Sequence, residues 1–540
     1  MKNINPSKAV FKGAFILALS ALITKILSAF YRIPFQNIVG DIGFYIYQQV
    51  YPFYGVAVVL STTGFPVVIS KLYAELLEKG DQEKSRLLLF LSFIYLQIFG
   101  LLCFLVLYFG AGQLSLWMKD PHLAVIIRVV SIVFLTFPFV SVLRGYYQGK
   151  GDMVPTALSQ VAEQTIRVVT ILFLSWILME KGVSLYLVGG GAMFGSITGS
   201  LVSGLILFMF LWIRKEWKLM EPNKGNLKTS ALQVKRIFKA LTFQGLTICV
   251  SGMLMIFIQM ADSLNLYSLL VSNGTPGDMA KSLKGIFDRG QPLIQLGTIA
   301  ASSMSLTLVP LISRERLASK PEFLQHKIQL ALKVSIVIGV GASAGLWAII
   351  RPANTMLFEN DYGSDVLGML SFVILFTSLI ATIVAILQGL GSFALPALAV
   401  AAIFPVKYVL NMIFVPMLGT MGAALSTLLS LGIIIILLII HFKKIAAIPL
   451  FHLRLIGTVF FAALAMVLFL KGWLFLAEHL LEPLGLSRFG AAIQSLSAVF
   501  SGGILFTLII IRGSTFLEEE LALFPFGSKL IHFMARKDRR

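Results

Sequence analysis

Apolar runs, each closed by glycine, proline or charge, follow one another along nearly the whole chain. A helix needs about 20 apolar residues to cross a bilayer. That criterion predicts fourteen spans, over 10–31, 43–70, 87–109, 123–145, 155–179, 183–213, 241–271, 292–313, 328–350, 365–389, 394–416, 419–441, 454–477 and 488–511. An even number places both termini on one side. Only one connection is long. Residues 214–240 hold eight Lys or Arg and form the natural boundary between two bundles. Residues 232–238 suit an amphipathic helix on anionic lipid, with a plain solvated linker as the alternative.

The punctuation repeats. PVVISK at 66–71 closes span 2 and PLISR at 310–314 closes span 8. Gln148, Gly149 and Pro155 ahead of span 5 are echoed by Gln388, Gly389 and Pro396 ahead of span 11. Spans 1–6 therefore align with spans 7–12 as repeats running in the same direction, the layout of a transporter with two related halves. The expected division is an N-terminal lobe over 1–213, the basic linker 214–240, a C-terminal lobe over 241–442, two additional helices within 443–512, and a tail over 513–540.

Composition agrees with this class. The chain is 57% hydrophobic and 13% charged, which excludes an ordinary soluble domain and fits an all-α polytopic membrane protein. The net charge of +19 forms no stripe that would suit nucleic acid. Placing the N-terminus inside gathers most of the 44 Lys and Arg into inner connections and tails, as the positive-inside rule requires. Both termini are thus expected to be cytoplasmic. Lys2, Lys8 and Lys12 precede the first apolar run as in a signal peptide. No A-x-A site closes that run, however, so a retained first helix is expected. Cys103 and Cys249 lie in apolar runs and read as small buried hydrophobes. No histidine spacing suggests zinc, and no P-loop is present, so neither a metal, a cofactor nor direct ATP coupling is expected.

Charges inside spans are costly and face a cavity or a partner. The first half carries Lys25, Arg32, Arg128, Arg144, Glu163 and Arg167, and the second carries Asp262, Asp288, Arg289 and Lys407. Glu163 and Arg167 are four apart and share a helix face, so they are expected to pair, with Lys25 competing for Glu163. The repeat also brings Asp262 of span 7 toward Lys407 of span 11. Counted from the starts of those spans, however, the two differ in depth by roughly 12 Å. The remaining charges are mostly positive. Guanidinium binds phosphate through two hydrogen bonds, so Arg32, Arg289, Lys25, Arg144 and Arg167 are the candidate substrate-binding cations. Glu163, Asp262 and Lys407 are the candidate coupling or structural pairs. The tyrosines of GFYIYQQVYPFY at 43–54 suit either a membrane-interface belt or a stacking surface for sugar rings.

RGYYQGKGDMVPTALSQVAEQTIRVV at 144–169 resembles the span 4–5 signature of the stage V sporulation protein B group of polysaccharide-biosynthesis membrane proteins. YRIPFQNIVGDIGFYIYQQVYP at 31–52, STTGFPVVISKLYAE at 61–75 and LQGLGSFALP at 387–396 are similar to the same group, in order. That group lies in the multidrug/oligosaccharidyl-lipid/polysaccharide exporter superfamily, together with the MurJ lipid II flippases. The resemblance implies two six-helix lobes in a V, a central cavity and two extra C-terminal helices. It also implies a monomer in the bacterial cytoplasmic membrane that flips a polyprenyl-pyrophosphate-linked saccharide by alternating access, with membrane lipid as its other partner. Arg32 and Arg289 fall where such flippases carry cavity arginines. Asp262 resembles an acid of a sodium site found in some members, but Lys407 stands where further sodium ligands would be.

Two other classes were weighed. A cation-coupled multidrug exporter on the same fold predicts an acid-dominated cavity, which the charge list opposes. A membrane glycosyltransferase or polymerase needs catalytic carboxylates on a sizeable loop. The longest loop here is basic, with Glu216 and Glu221 as its only acids, so the protein reads as a transporter and not an enzyme.

Overall fold

Hydrophobicity and the scarcity of interior backbone partners other than the chain itself leave helix as the form a lipid-embedded segment adopts. The computed structural model describes residues 6–217, 231–308, 321–445, 453–481, 488–513, 515–521 and 531–533, and they are helical nearly throughout, with no strand among them. The helices used below, numbered in chain order, are α1 (Pro6–Phe30), α2 (Arg32–Val59), α3 (Phe65–Glu78), α4 (Gln82–Trp117), α5 (Leu123–Ser131), α6 (Val133–Gly149), α7 (Val154–Glu180), α8 (Leu185–Ile213), α9 (Ala231–Lys239), α10 (Leu246–Gly252), α11 (Leu254–Ser272), α12 (Gly277–Asp288) and α13 (Gly290–Leu308). They continue with α14 (Pro321–Ala348), α15 (Ile350–Phe358), α16 (Ser364–Ser371), α17 (Val373–Gly389), α18 (Ala394–Ile445), α19 (Leu453–Leu481), α20 (Arg488–Arg512) and α21 (Glu518–Leu521).

Eleven helices among the described residues are long and apolar enough to cross a membrane. Two of these, Phe15–Glu78 and Ala394–Ile445, have the length for two crossings each. Each is interrupted at a glycine: Gly40 (φ 70°, ψ −177°) and Gly419 (φ 59°, ψ −136°). Side-chain-bearing residues are strained in that backbone region, so glycine sets the break in both cases. The predicted span 292–313 runs into residues outside the described set, and the PLISR repeat at 310–314, Lys2 and residues 218–230 of the linker lie outside it. The linker's final part is the helix α9, which joins α10 through a π-helical turn, Ala240–Gly245.

The chain packs as two compact units. One comprises Met1–Asp288 with Phe393–Pro416, and the other comprises Arg289–Ser392 with Met417–Arg540. The cuts differ from the repeat-based lobes 1–213 and 241–442. The reason lies in packing that the repeat alone does not specify: α11 and α12 lie against α2, and Gln49 Nε2 donates to the Ser263 carbonyl at 3.0 Å. Residues 393–416 join the same unit through α11, as described below.

Within the first unit, α7 packs along α8, α3 along α6, α1 on α7, and α4 on α5 and α6. The α7–α8 contact is close because α8 presents Gly191, Gly195 and Gly199 at four-residue intervals, the small-residue spacing that lets membrane helices approach. A second π-helical turn, Leu60–Gly64, joins α2 to α3. Such a turn releases carbonyls from the regular ladder. Ser141 Oγ donates to the freed Leu60 carbonyl at 2.9 Å, and Arg144 Nη1 donates to Ser61 at 3.2 Å.

In the second unit α13, α14 and α17 pack on one another, while α19 and α20 pack together and against α14 and α15. Leu330, Val334, Val459, Met466, Ala498 and Phe506 lie in the core of that helix pair.

Candidate functional site

The first unit buries four arginine or lysine groups of the candidate set, and their partners fall into three arrangements. The first is a saturated arginine. Arg144 on α6 is fully buried and donates to Ser159 Oγ (3.1 Å), the Ser61 carbonyl (3.2 Å), Glu163 Oε2 (2.7 Å) and Ser203 Oγ (2.9 Å). Four elements thereby converge on one guanidinium, a structural tie that satisfies a buried charge. This corrects the expected Glu163–Arg167 pair. The tight turn at 149–153 folds α7 back beside α6 and brings Arg144 to the carboxylate, while the Arg167 guanidinium is taken up elsewhere. Lys25 stands at an exposed position on α1.

The second arrangement is an arginine pair in a tyrosine cage. Tyr47, Tyr51 and Tyr54 stand at i, i+4 and i+7 on α2 and so share one face. Tyr31 closes the cage from the α1–α2 junction. Arg167 Nη2 donates to Tyr47 Oη at 2.8 Å and to Tyr31 Oη at 3.1 Å, those two hydroxyls lie 2.8 Å apart, and Nη1 reaches Gln164 Oε1 at 3.3 Å. Its guanidinium carbon lies 4.0 Å from the Tyr54 ring centroid. Arg32 stacks 4.4 Å from the Tyr51 centroid. Stacking on aromatic rings is a known preference of the planar guanidinium.

Arg32 is 2% exposed and Arg167 1% exposed, and among the described residues neither is ion-paired to a carboxylate. The Nε of each is buried without a hydrogen-bond partner. The reading of these tyrosines as an interface belt or an open sugar platform is therefore corrected. Tyr47 and Tyr54 are buried, and the faces of Tyr51 and Tyr54 are occupied by guanidinium.

The third arrangement is an ion-paired cluster on α11, α12 and the first half of α18. The Lys407 ammonium contacts Asp262 Oδ2, and both groups are buried. Asn411 Nδ2 donates to Asp262 Oδ1 at 3.1 Å and to Asn265 Oδ1 at 2.8 Å, and Asn265 Nδ2 in turn donates to the Tyr408 carbonyl at 2.9 Å. The depth offset counted from the span starts is corrected by the far ends. Asp262 precedes Ser272 by about as much as Lys407 precedes Pro416, and Asn273 Nδ2 donates to the Pro416 carbonyl at 2.9 Å. Helix α11 also begins afresh at Leu254, so residues before it do not measure depth along its axis. Nearby, Lys284 holds both Asp288 carboxylate oxygens at 2.6 Å, a buried pair on α12 that sequence reasoning missed although its i, i+4 spacing was visible.

Arg289 belongs to the second unit. It is fully buried, donates to Asn360 Oδ1 at 2.7 Å and lies 5.3 Å from the Phe358 ring centroid. Asn354 Nδ2 braces that loop through the Tyr362 carbonyl (2.9 Å) and Ser364 Oγ (3.1 Å). Sequence reasoning also missed Tyr31, Gln164 and Asn265.

Membrane-length apolar helices with buried cations held in polar networks define an all-α multi-pass membrane protein. The family model for polysaccharide biosynthesis proteins matches residues 10–315. The chain belongs to that family, within the group that includes lipid II flippases. It is 44% identical to the uncharacterized membrane protein YabM of Bacillus subtilis (strain 168), over 98% of this chain and 97% of that one. From the same organism, the lipid II flippase MurJ is 28% identical over 78% of this chain and 80% of its own. Stage V sporulation protein B is 25% identical over 79% and 82%. A solved structure of lipid II flippase MurJ in an inward closed conformation superimposes with a TM-score of 0.65 at 15% identity, covering 92% of this chain and 99% of that one.

Proposed function

We propose that the protein flips a polyprenyl-pyrophosphate-linked saccharide, a peptidoglycan precursor or polysaccharide repeat unit, across the bacterial cytoplasmic membrane by alternating access. The observation that carries this reading is the Arg32–Arg167 pair. Two buried guanidiniums without a carboxylate partner among the described residues cost several kcal/mol unless an anion compensates them. Each retains a buried Nε–H with nothing to donate to, and a pyrophosphate offers acceptor oxygens on several sides. Arg289, placed by resemblance among the cavity arginines, is a further candidate substrate-binding cation. The relatives support the substrate class, since one of them is a lipid II flippase.

In the same reading, Asp262 is neutralised by Lys407, which leaves that carboxylate without the open coordination a sodium ion needs. The termini are proposed to be cytoplasmic from the distribution of lysine and arginine. The test is complementation of a bacterial strain depleted of its lipid II flippase. Growth restored by the native chain, and lost with Arg32→Ala or Arg167→Ala at equal membrane abundance, is the expected outcome. Equal growth with the native chain and both variants would refute the assignment of these arginines.

A further inference from the structure

Beside the arginine pair, position 164 carries an amide where an acid would suit the fold better. Gln164 stands three residues before Arg167 on α7, so the two side chains share a helix face. It is 8% exposed. Its Oε1 accepts from Arg167 Nη1 at 3.3 Å, while its Nε2 is buried with no hydrogen-bond partner. The contact therefore uses only the atom that a carboxylate would also offer. A glutamate here would keep that oxygen, discard the orphaned NH2 and give a buried guanidinium its counter-ion. Each of these changes favours the folded state.

The rest of α7 withholds a carboxylate from Arg167 in the same way. Glu163, four residues before it, is held by Arg144 at 2.7 Å. Thr170 and Ile171, at three and four residues after it, carry no charge. The turn cannot easily rotate to bring in another group, because α8 presses against it: a Cβ at Gly195 would lie 3.0 Å from the Arg167 carbonyl oxygen. Every position on its own helix from which an acid could reach Arg167 is thus uncharged or committed elsewhere. A residue that forgoes available stability in this manner is what a working site retains.

We infer that Gln164 is a positioning residue: its carbonyl oxygen holds the Arg167 guanidinium in place, and its lack of charge leaves that guanidinium free to pair with the anion of the substrate. The inference rests on the reading of Arg167 as a pyrophosphate ligand. It assigns Gln164 no contact with the substrate, since it acts through Arg167. It also gives the Arg144–Glu163 tie a second consequence, the removal of a competing carboxylate from the anion site.

The full-length protein is reconstituted in liposomes with a fluorescent polyprenyl-pyrophosphate-linked saccharide. Translocation rate, its dependence on substrate concentration and melting temperature are measured for the native chain, Gln164→Glu and Gln164→Met. Gln164→Glu is expected to melt at or above the native temperature and to translocate at least tenfold more slowly. A residue that only braces the fold gives another pattern, because glutamate keeps the hydrogen bond: melting temperature and rate both stay native. That result overturns the inference and leaves the transport reading standing, whereas a native protein that translocates nothing overturns the reading beneath it. If Gln164→Glu does not fold, Gln164→Met decides. It removes the oxygen that holds Nη1 and adds no charge, so apparent KM should rise severalfold with kcat little changed. An unchanged KM would overturn the inference.

Discussion

Arg167 and Arg144 lie on adjacent helices and differ in what surrounds them. Arg144 has spent its donors on serines, a carbonyl and Glu163, whereas Arg167 is held by hydroxyls and ring faces. The two should therefore respond differently to substitution. Arg144→Ala leaves Glu163 partly buried and unpaired, and is expected to destabilise the fold by about 3–5 kcal/mol, read as a lower melting temperature in detergent. Arg167→Ala should reduce flipping at least tenfold, since it removes a ligand to the anion. Tyr54→Phe should be nearly silent in a flipping assay because its ring does the stacking, while Tyr47→Phe removes an acceptor of Arg167 and should weaken transport severalfold. Equal effects of Tyr54→Phe and Tyr47→Phe would contradict this division. A similar argument applies to Asp262 and Lys407. Asp262→Asn or Lys407→Met alone should cost about 3–5 kcal/mol, and the double variant should recover most of it, because a lone buried charge is worse than none.

At the scale of the element, α7 sets the site by how closely it approaches α8. A Cβ at Gly199 would lie 2.7 Å from the Glu163 carbonyl oxygen and 3.1 Å from Arg167 Cβ. Gly199→Val should therefore push α7 outward, lower stability by roughly 1–3 kcal/mol, and impair transport through the displaced Glu163 and Arg167. Gly190→Ala, which meets nothing within 4 Å, should leave both unchanged. Melting curves and flipping rates of the two variants check this.

The helices themselves were legible in the sequence because hydrophobic length and glycine punctuation report directly on crossing and reversal. Partner choice was not. The i, i+4 spacing of Glu163 and Arg167 places both on one face, but it carries no information about Arg144, which the α6–α7 turn delivers from 19 residues upstream. The i, i+4, i+7 spacing of Tyr47, Tyr51 and Tyr54 was present in the sequence. Only the arrival of Arg167 distinguishes a cage from an interface belt. Depth was misjudged at Asp262 because it was counted through a π-helical turn and a break at Met253 that apolar composition does not reveal.

For the whole molecule, the sequence repeat and the packing divide the chain differently. Residues 393–416 and α11 join the unit of the first half, tied there by the Asp262–Lys407 contact and its asparagines. The proposed cytoplasmic termini carry a prediction: a green fluorescent protein fused after Arg540 should fluoresce and alkaline phosphatase fused there should be inactive, and the opposite pattern would contradict that orientation. The most direct test of the transport reading is translocation itself. The purified protein is reconstituted in liposomes bearing a fluorescent polyprenyl-pyrophosphate-linked saccharide, and the fraction reaching the opposite leaflet is followed by quenching from outside. The account predicts translocation by the native protein that falls at least tenfold in both Arg32→Ala and Arg167→Ala. No translocation by the native protein, or equal rates in all three, would contradict it.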